Sequence, residues 1–312
     1  MKFGYQQPNH TFTSKTIFES LKQIAGECEE QDYDSFWVMD HLLQIGLAGK
    51  NNEPIMEAYT TLAALAPVTK KIKLGALCTC TFFRNPALLA KMGATIDQIS
   101  NGRFWLGLGA GWYKEEAISY GYKFQDNLTR LQMLEEALQI IELAWTKNKA
   151  SFEGRFYSIK DFILSPKPVQ RPRPPILVGG EGEKVTLRLV AKYADACNFF
   201  ASGKELERKL DVLKTHCKKQ SRSYSKILKT KLSSVMFGKN KYEALQKISS
   251  LKPREMDLDS YAESFLLGNP SEISSQVEDL KEIGIEYLII NFRGKYNPKD
   301  TLAFSKEIMT RF

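Results

Sequence analysis

The sequence predicts an α/β fold, a TIM (β/α)8 barrel with insertions, with residues 1–312 forming a single domain. Short β-type runs alternate with helix-length amphipathic segments from end to end, and repeated alternation of that kind implies a parallel sheet. Eight such runs are present, each followed by a helix, and eight units in about 300 residues suit a closed barrel better than an open sheet. Composition agrees: 43% hydrophobic and 26% charged residues supply a large core and exclude disordered, collagen-like or fibrous chains.

In chain order, Lys2–Gln6 is the first strand and Thr16–Gln31 the first helix. Ser35–Met39 reads as a buried strand, and the helix after it is opened by Pro54 at a first-turn position. Lys73–Thr79 is the third strand. Asn85 and Pro86 then give an N-cap and a first-turn proline to a helix that closes at Asn101-Gly102. Arg103–Leu108 is the fourth strand. Between about Asn127 and Thr146, Leu131, Leu134, Leu138, Ile141 and Trp145 recur at three-to-four spacing, the apolar stripe of a helix packed on a sheet. The alternation falters at Phe152–Phe162, which reads as a small hairpin. It falters again from Ser165 to Pro175, a proline-rich run that is either a stiff loop into a buried strand, an interdomain linker or a peptide ligand. Ile176-Leu177-Val178 resumes the pattern, followed by a helix at Val185–Tyr193 and strands at Ala194–Phe199, Thr230–Phe237 and Ile285–Phe292. Asn269-Pro270-Ser271-Glu272 starts the last helix and Gly284 stops it.

The net charge is +8 with a pI near 9.0, a balance that could serve a polyanionic partner. The excess is local: residues 202–254 hold 15 Lys/Arg against 4 Asp/Glu, and the rest of the chain 29 against 32. Lys214, Lys218 and Lys219 read as a solvated helix face, and no aromatic-interleaved basic motif points to nucleic acid. The same segment could instead draw in an anionic small ligand. No apolar run approaches the ~20 residues of a membrane span, and Met1–Tyr5 lacks a signal peptide's charged and apolar regions. The expected location is therefore the cytoplasm, with no membrane partner. Cys28, Cys78, Cys80, Cys197 and Cys217 fit neither a disulfide framework nor a zinc spacing, so reduced thiols and no metal are expected.

Chemistry gathers at the strand ends. Gly107-Leu108-Gly109-Ala110-Gly111-Trp112 starts like a dinucleotide fingerprint, but its third glycine would fall on bulky Trp112. What survives is a bare-backbone platform where barrel enzymes place their ligands. Val178-Gly179-Gly180-Glu181-Gly182-Glu183-Lys184 is a second platform, with Thr186 close by at a helix start. Backbone N–H groups there either hold a phosphate or make a tight turn. Two such platforms on one face suit a long flat ligand. His41, following Asp40 at the end of a strand, puts an imidazole and a carboxylate at the barrel mouth, suited to proton transfer or to orienting a polar ring. A satisfied polar residue is the alternative. His10 has no such setting, and His216 sits among lysines on a solvated face. Cys78-Thr79-Cys80 lacks further metal ligands, and its small side chains make room for a flat ring. No G-x-S-x-G elbow is present.

Five runs together resemble the bacterial luciferase-like family of flavin and deazaflavin oxidoreductases. They are Phe36-Trp37-Val38-Met39-Asp40-His41, Asn85-Pro86-Ala87-Leu88-Leu89-Ala90-Lys91, Asp97-Gln98-Ile99-Ser100-Asn101-Gly102-Arg103-Phe104, Gly107 through Trp112, and Ile176-Leu177-Val178-Gly179-Gly180. The likeness is dense from residue 1 to about 200 and thin afterwards, where Tyr287–Phe292 alone is familiar. It implies a TIM barrel with a long insertion, and coenzyme F420 or FMN lying across the C-terminal mouth. It also implies a non-proline cis peptide near Leu77-Cys78-Thr79 behind the ring, and cofactor contacts from Asp40, from Gly109-Ala110-Gly111, and from Gly179, Gly180, Glu181 and Gly182 with Thr186.

Two departures refine the implication. Ala110 stands where luciferases proper have an arginine for the FMN phosphate, which disfavours FMN. Trp112 stands where the F420-dependent glucose-6-phosphate dehydrogenases carry a glutamate, which disfavours sugar-phosphate oxidation. What remains resembles F420-dependent oxidoreductases acting on an unidentified small organic substrate. His41 would then donate or accept a proton, with Asp40 orienting the ring or the imidazole. The alternatives are a two-component FMN monooxygenase fed by a separate flavin reductase, and a non-catalytic flavin-binding barrel. Barrels of this family are often homodimers. Substrate-facing residues are expected in Leu42–Glu53 and after Lys252.

Overall fold

A computed structural model describes residues 1–10, 12, 16–253 and 256–312. β1 (Lys2–Gln7) leads to α1 (Ile17–Glu30), β2 (Ser35–Val38) to α2 (Ala58–Leu65), and β3 (Lys73–Ala76) with the two-residue β4 (Thr79–Cys80) to α3 (Pro86–Ser100). β5 (Phe104–Gly109) is followed by α4 (Lys114–Ser119), α5 (Asn127–Thr146) and the hairpin of β6 (Ala150–Glu153) and β7 (Ser158–Phe162). Next come β8 (Ile176–Gly179), α6 (Thr186–Tyr193), β9 (Ala196–Phe199) and α7 (Gly203–Lys219). The last stretch holds β10 (Leu228–Phe237), α8 (Lys241–Ser249), α9 (Leu258–Ala262), β11 (Phe265–Gly268), α10 (Pro270–Ile283), β12 (Tyr287–Phe292) and α11 (Pro298–Glu307).

β1, β2, β3, β5, β8, β9, β10 and β12 pair in parallel in that order, and β12 returns to β1, closing an eight-stranded TIM barrel. β10 is long enough to pair with β9 through its first half and with β11 through Ser234–Phe237. Side chains alternate across each strand, so successive residues join different cores. Phe36, Val38, Ile176, Val178, Leu288 and Ile290 join the large cluster shared with the helices. Trp37, Leu177, Tyr287 and Ile289 pack together in a separate small cluster that fills the barrel. Above it the inward positions turn polar or bare, and that change opens the site described below.

The helix boundaries follow local chemistry. Asn85 accepts the Ala87 N–H at 2.9 Å, Pro86 takes the first turn, and Asn101 at φ 55° ends α3. At α10 both halves of a capping box form between Asn269 and Glu272, at 3.1 and 3.0 Å, and Gly284 closes the helix at φ 115°. Other expectations need correction. Pro54 does not open a helix; α2 starts at Ala58, where the Glu57 carboxylate caps the N–H groups of Tyr59 and Thr60. The third strand does not run unbroken to Thr79, because a cis peptide at Leu77–Cys78 separates β3 from β4. β11 and α11 are additional, so the helix after Asn269 is not the last. The proline-rich run is a loop fixed to the barrel, not a linker: Gln170 hydrogen-bonds Asp97 at 2.7 and 3.0 Å and the Phe104 carbonyl at 2.7 Å.

The basic segment divides in two. Lys214, Lys218 and Lys219 are exposed as expected, whereas Lys209, Lys229 and Lys231 are buried. Lys229 pairs with Glu286 at 2.8 Å, and Lys231 donates to the Phe200 and Ala201 carbonyls at 2.8 Å each. Burial lowers the Lys231 ammonium to about 8. His216 is not a solvated residue, since its Nε2 meets the Glu183 carbonyl at 2.8 Å. Among the described residues no helix is long and apolar enough to cross a membrane.

Candidate active site

The C-terminal ends of the strands surround a cavity of about 700 Å³. The catalytic and cofactor-contacting residues expected from the sequence line it: Asp40 and His41 after β2, Leu77, Cys78 and Thr79 at the broken strand, Gly109, Ala110 and Gly111 after β5, and Gly179, Gly180, Glu181, Gly182 and Thr186 after β8. Most of Leu42–Glu53 and of the segment after Lys252 stays off the wall, where Ile45, Leu47, Met256, Ser260, Tyr261 and Ser264 contribute. Arg254 and Glu255 lie outside the described residues.

The floor carries glycines because neighbouring chain stands where their Cβ atoms would be. A Cβ on Gly107 would stand 2.1 Å from the Ala76 carbonyl oxygen, and one on Gly179 would stand 2.3 Å from Cys78 Sγ. These glycines admit the Leu77–Cys78 segment as it crosses the top of the barrel. Gly111 has φ +76°, and a Cβ there would meet Cys80 Sγ at 2.5 Å and the Phe82 ring at 2.6 Å. On the far side, Gly180 at φ +107° turns the chain into α6, which begins at Thr186 with no side-chain N-cap. Of its first N–H groups, that of Leu187 goes to the Gly182 carbonyl at 3.0 Å, and no side chain caps the turn.

Three of the expected residues spend their polar side chains on neighbours within the protein. Asp40 does not orient His41. Its carboxylate takes both prongs of Arg84 at 2.7 and 2.8 Å and the Cys80 N–H at 3.1 Å. Burial pushes the Asp40 carboxyl up, while the Arg84 hydrogen bonds oppose it; Arg84, itself penalised by burial, is held high by the same contacts. The bidentate geometry makes this an ion pair, completed by Arg84's second contact with Glu57. Glu181 likewise spends its carboxylate internally, accepting the N–H groups of Phe200 and Ala201 at 3.0 and 3.1 Å, so it braces two loops. Thr79 commits its hydroxyl to the Tyr59 phenol at 2.7 Å.

The partner of His41 is Glu116, which the sequence reading missed. Its Oε2 lies 2.9 Å from His41 Nδ1, and its Oε1 accepts the Leu42 and Leu43 N–H groups at 2.5 and 2.8 Å. A carboxylate only accepts, so Nδ1 is the protonated nitrogen of this pair. Trp112 and Tyr113 present their rings edge-on to the imidazole, with centroids at 5.7 and 6.1 Å. The available signal was faint: Glu116 and Ala117 share the buried side of a six-residue helix in which Glu115 is exposed. A second missed feature is a polar row inside the barrel. Asn291 donates to Gln6 at 2.9 Å, Ser234 donates to Asn291 at 2.7 Å, and Arg293 donates to Ser234 at 2.9 Å. Asn291 was legible, because it breaks an apolar strand on the inward side shared with Tyr287 and Ile289.

Comparison with known proteins now decides the family. The model described as luciferase-like monooxygenase matches residues 1–262. The chain belongs to the luciferase-like monooxygenase family. It is an oxidoreductase of that class, as the resemblance implied, and the match extends past the region where motifs were recognisable. The chain is 26% identical to an F420-dependent glucose-6-phosphate dehydrogenase of Amycolatopsis mediterranei, covering 100% of this chain and 98% of that one. It is 34% identical to the pyrimidine monooxygenase RutA of Variovorax paradoxus, over 61% of this chain and 50% of the relative. Its fold matches that of an F420-dependent secondary alcohol dehydrogenase bound to an F420–acetone adduct, with a TM-score of 0.84 at 20% identity over 99% and 98% of the two chains.

Proposed function

We propose that this luciferase-like protein moves a hydride between coenzyme F420 and a small organic substrate, the whole chain acting as one catalytic unit. The observation that carries the proposal is that one cavity is lined both by the glycine floor and by His41, which Glu116 holds. The relative matched over its whole length, an F420-dependent dehydrogenase, supports the choice of cofactor. The residues present fit such a group. Gly109, Gly111 and Gly179 add no side chain of their own to the floor, which suits a flat ring, and the start of α6 with Thr186 suits a phosphate.

When bound, the deazaflavin supplies hydride chemistry at C5. The chain supplies the rest. His41 Nε2 takes a proton from a substrate alcohol or, reprotonated, returns one to a carbonyl. Glu116 holds the ring in the tautomer that leaves Nε2 free, and it balances the imidazolium when that forms. Arg84 and Asp40 fix the Cys80 backbone and with it the edge of the floor.

Titration of the purified protein with F420 and with FMN tests the proposal. Saturable F420 binding tighter than FMN binding is expected, with His41→Gln keeping that affinity and losing turnover. No F420 binding would end the proposal. A second reading, an FMN monooxygenase, is favoured by the 34% identity to RutA, and oxygen uptake with supplied reduced FMN would establish it.

A further inference from the structure

We infer that the cavity carries an anion subsite at Arg293, so that the substrate, on the reading that this is an F420-dependent oxidoreductase, bears a carboxylate or phosphate group. Among the described residues lining the cavity, Asp40, Glu116 and Glu181 each have their carboxylate fully engaged, and no lysine and no other arginine is present. Arg293 differs. Of its five N–H donors, Nε–H goes to Ser234 Oγ at 2.9 Å and one on Nη1 goes to the Leu47 carbonyl at 2.7 Å. Nη2 makes no hydrogen bond among the described residues, and no carboxylate lies within ion-pairing distance there. Both contacts are neutral, so the guanidinium is aimed and braced without being neutralised. Burial pulls it below the ordinary arginine value, with the Tyr261 phenol opposing.

Position separates this subsite from the cofactor cradle. Around the closed barrel β12 stands four strands from β5, directly across the mouth from the Gly109–Gly111 turn. An oxyanion bound at Arg293 would anchor the end of a substrate opposite the glycine floor. A planar fork with free N–H groups on one edge suits a carboxylate or phosphate oxygen pair.

Acetate and inorganic phosphate, titrated calorimetrically onto the protein with F420 present, test the subsite and separate the two headgroups. At least one should bind saturably, weaken roughly tenfold or more in Arg293→Met, recover partly in Arg293→Lys, and be indifferent to Lys214→Met on the exposed face of α7. A variant-free arm follows phenylglyoxal modification by mass spectrometry, in which the binding anion should protect Arg293. Binding of neither anion, equal binding in Arg293→Met, loss in Lys214→Met or absence of protection would overturn the inference. If F420 fails to bind while Arg293-dependent anion binding persists, the cofactor reading falls and the subsite stands.

Discussion

Replacing Glu116 probes the hub of the proposed site through stability and tautomer, with no substrate needed. The carboxylate is 1% exposed and accepts from His41 Nδ1, Leu42 N and Leu43 N. Hydrogen bonds to a charged group contribute roughly 1.5–3 kcal/mol each. His41, Leu42 and Leu43 are only half-buried and their donors regain water once the acid is gone, so the low end applies and Glu116→Ala should cost about 4 kcal/mol. Glu116→Gln keeps an oxygen for Leu42 and Leu43 and turns its NH2 towards Nδ1, for a loss of about 1–2 kcal/mol. At roughly 2 °C per kcal/mol for a chain of this size, melting should fall by about 8 °C in the first variant and about 2–4 °C in the second. In Glu116→Gln the amide donates to Nδ1, which sends the ring proton to Nε2. Nitrogen NMR of histidine-labelled protein reads that exchange, and three histidines make the assignment direct. A Glu116→Ala protein within about 1 kcal/mol of the parent, or an Nδ1 still protonated in Glu116→Gln, would refute the reasoning.

Two further predictions concern the scaffold. His10 is buried, its Nδ1 accepts the Met56 N–H at 2.9 Å, and burial lowers its imidazole to about 4 from 6.5. The unfolded chain therefore binds more protons between those values, so this contribution is complete above pH 6.5 and drains as pH falls towards 4. About 2 kcal/mol should be lost between pH 7 and 5 by urea denaturation, and His10→Asn should flatten that slope. Gly107→Ala would drive a Cβ to 2.1 Å from the Ala76 carbonyl oxygen, costing about 3 kcal/mol or more, while Gly26→Ala in α1 meets nothing within 4 Å and should gain about 0.5–1 kcal/mol. Denaturation midpoints that move the same way in both would contradict the packing described.

Much of the site was legible because it is built from strand ends. Glycines at 109, 111, 179, 180 and 182 and the Asp40-His41 pair sit where a parallel barrel must present them, and all border one cavity. Their partners were not legible. Asp40 meets Arg84 across 44 residues and His41 meets Glu116 across 75, and nothing in local spacing distinguishes Glu116 from its neighbour Glu115. The adjacent Asp40 and His41 were read as a pair because they are adjacent, yet successive positions point to different sides of the chain. Arg293 was passed over because a single basic residue after a strand is ordinary until its neighbours turn out to be neutral.

By itself the sequence determined the alternation of strands and helices, the barrel, most helix starts and stops, and the family. These follow from periodicity, capping and turn chemistry, which act over two to four residues, and from motifs that recur as runs. Only the tertiary structure decided which carboxylate holds His41, which acids are spent on bracing loops, and that a guanidinium across the mouth from the glycine floor lacks a counter-charge. Those are outcomes of barrel closure, which brings together groups such as Gln6 and Asn291, 285 residues apart. Hydrogen bonding and charge pairing depend on distances of a few ångströms, and those distances are set by the closed barrel rather than by any local pattern.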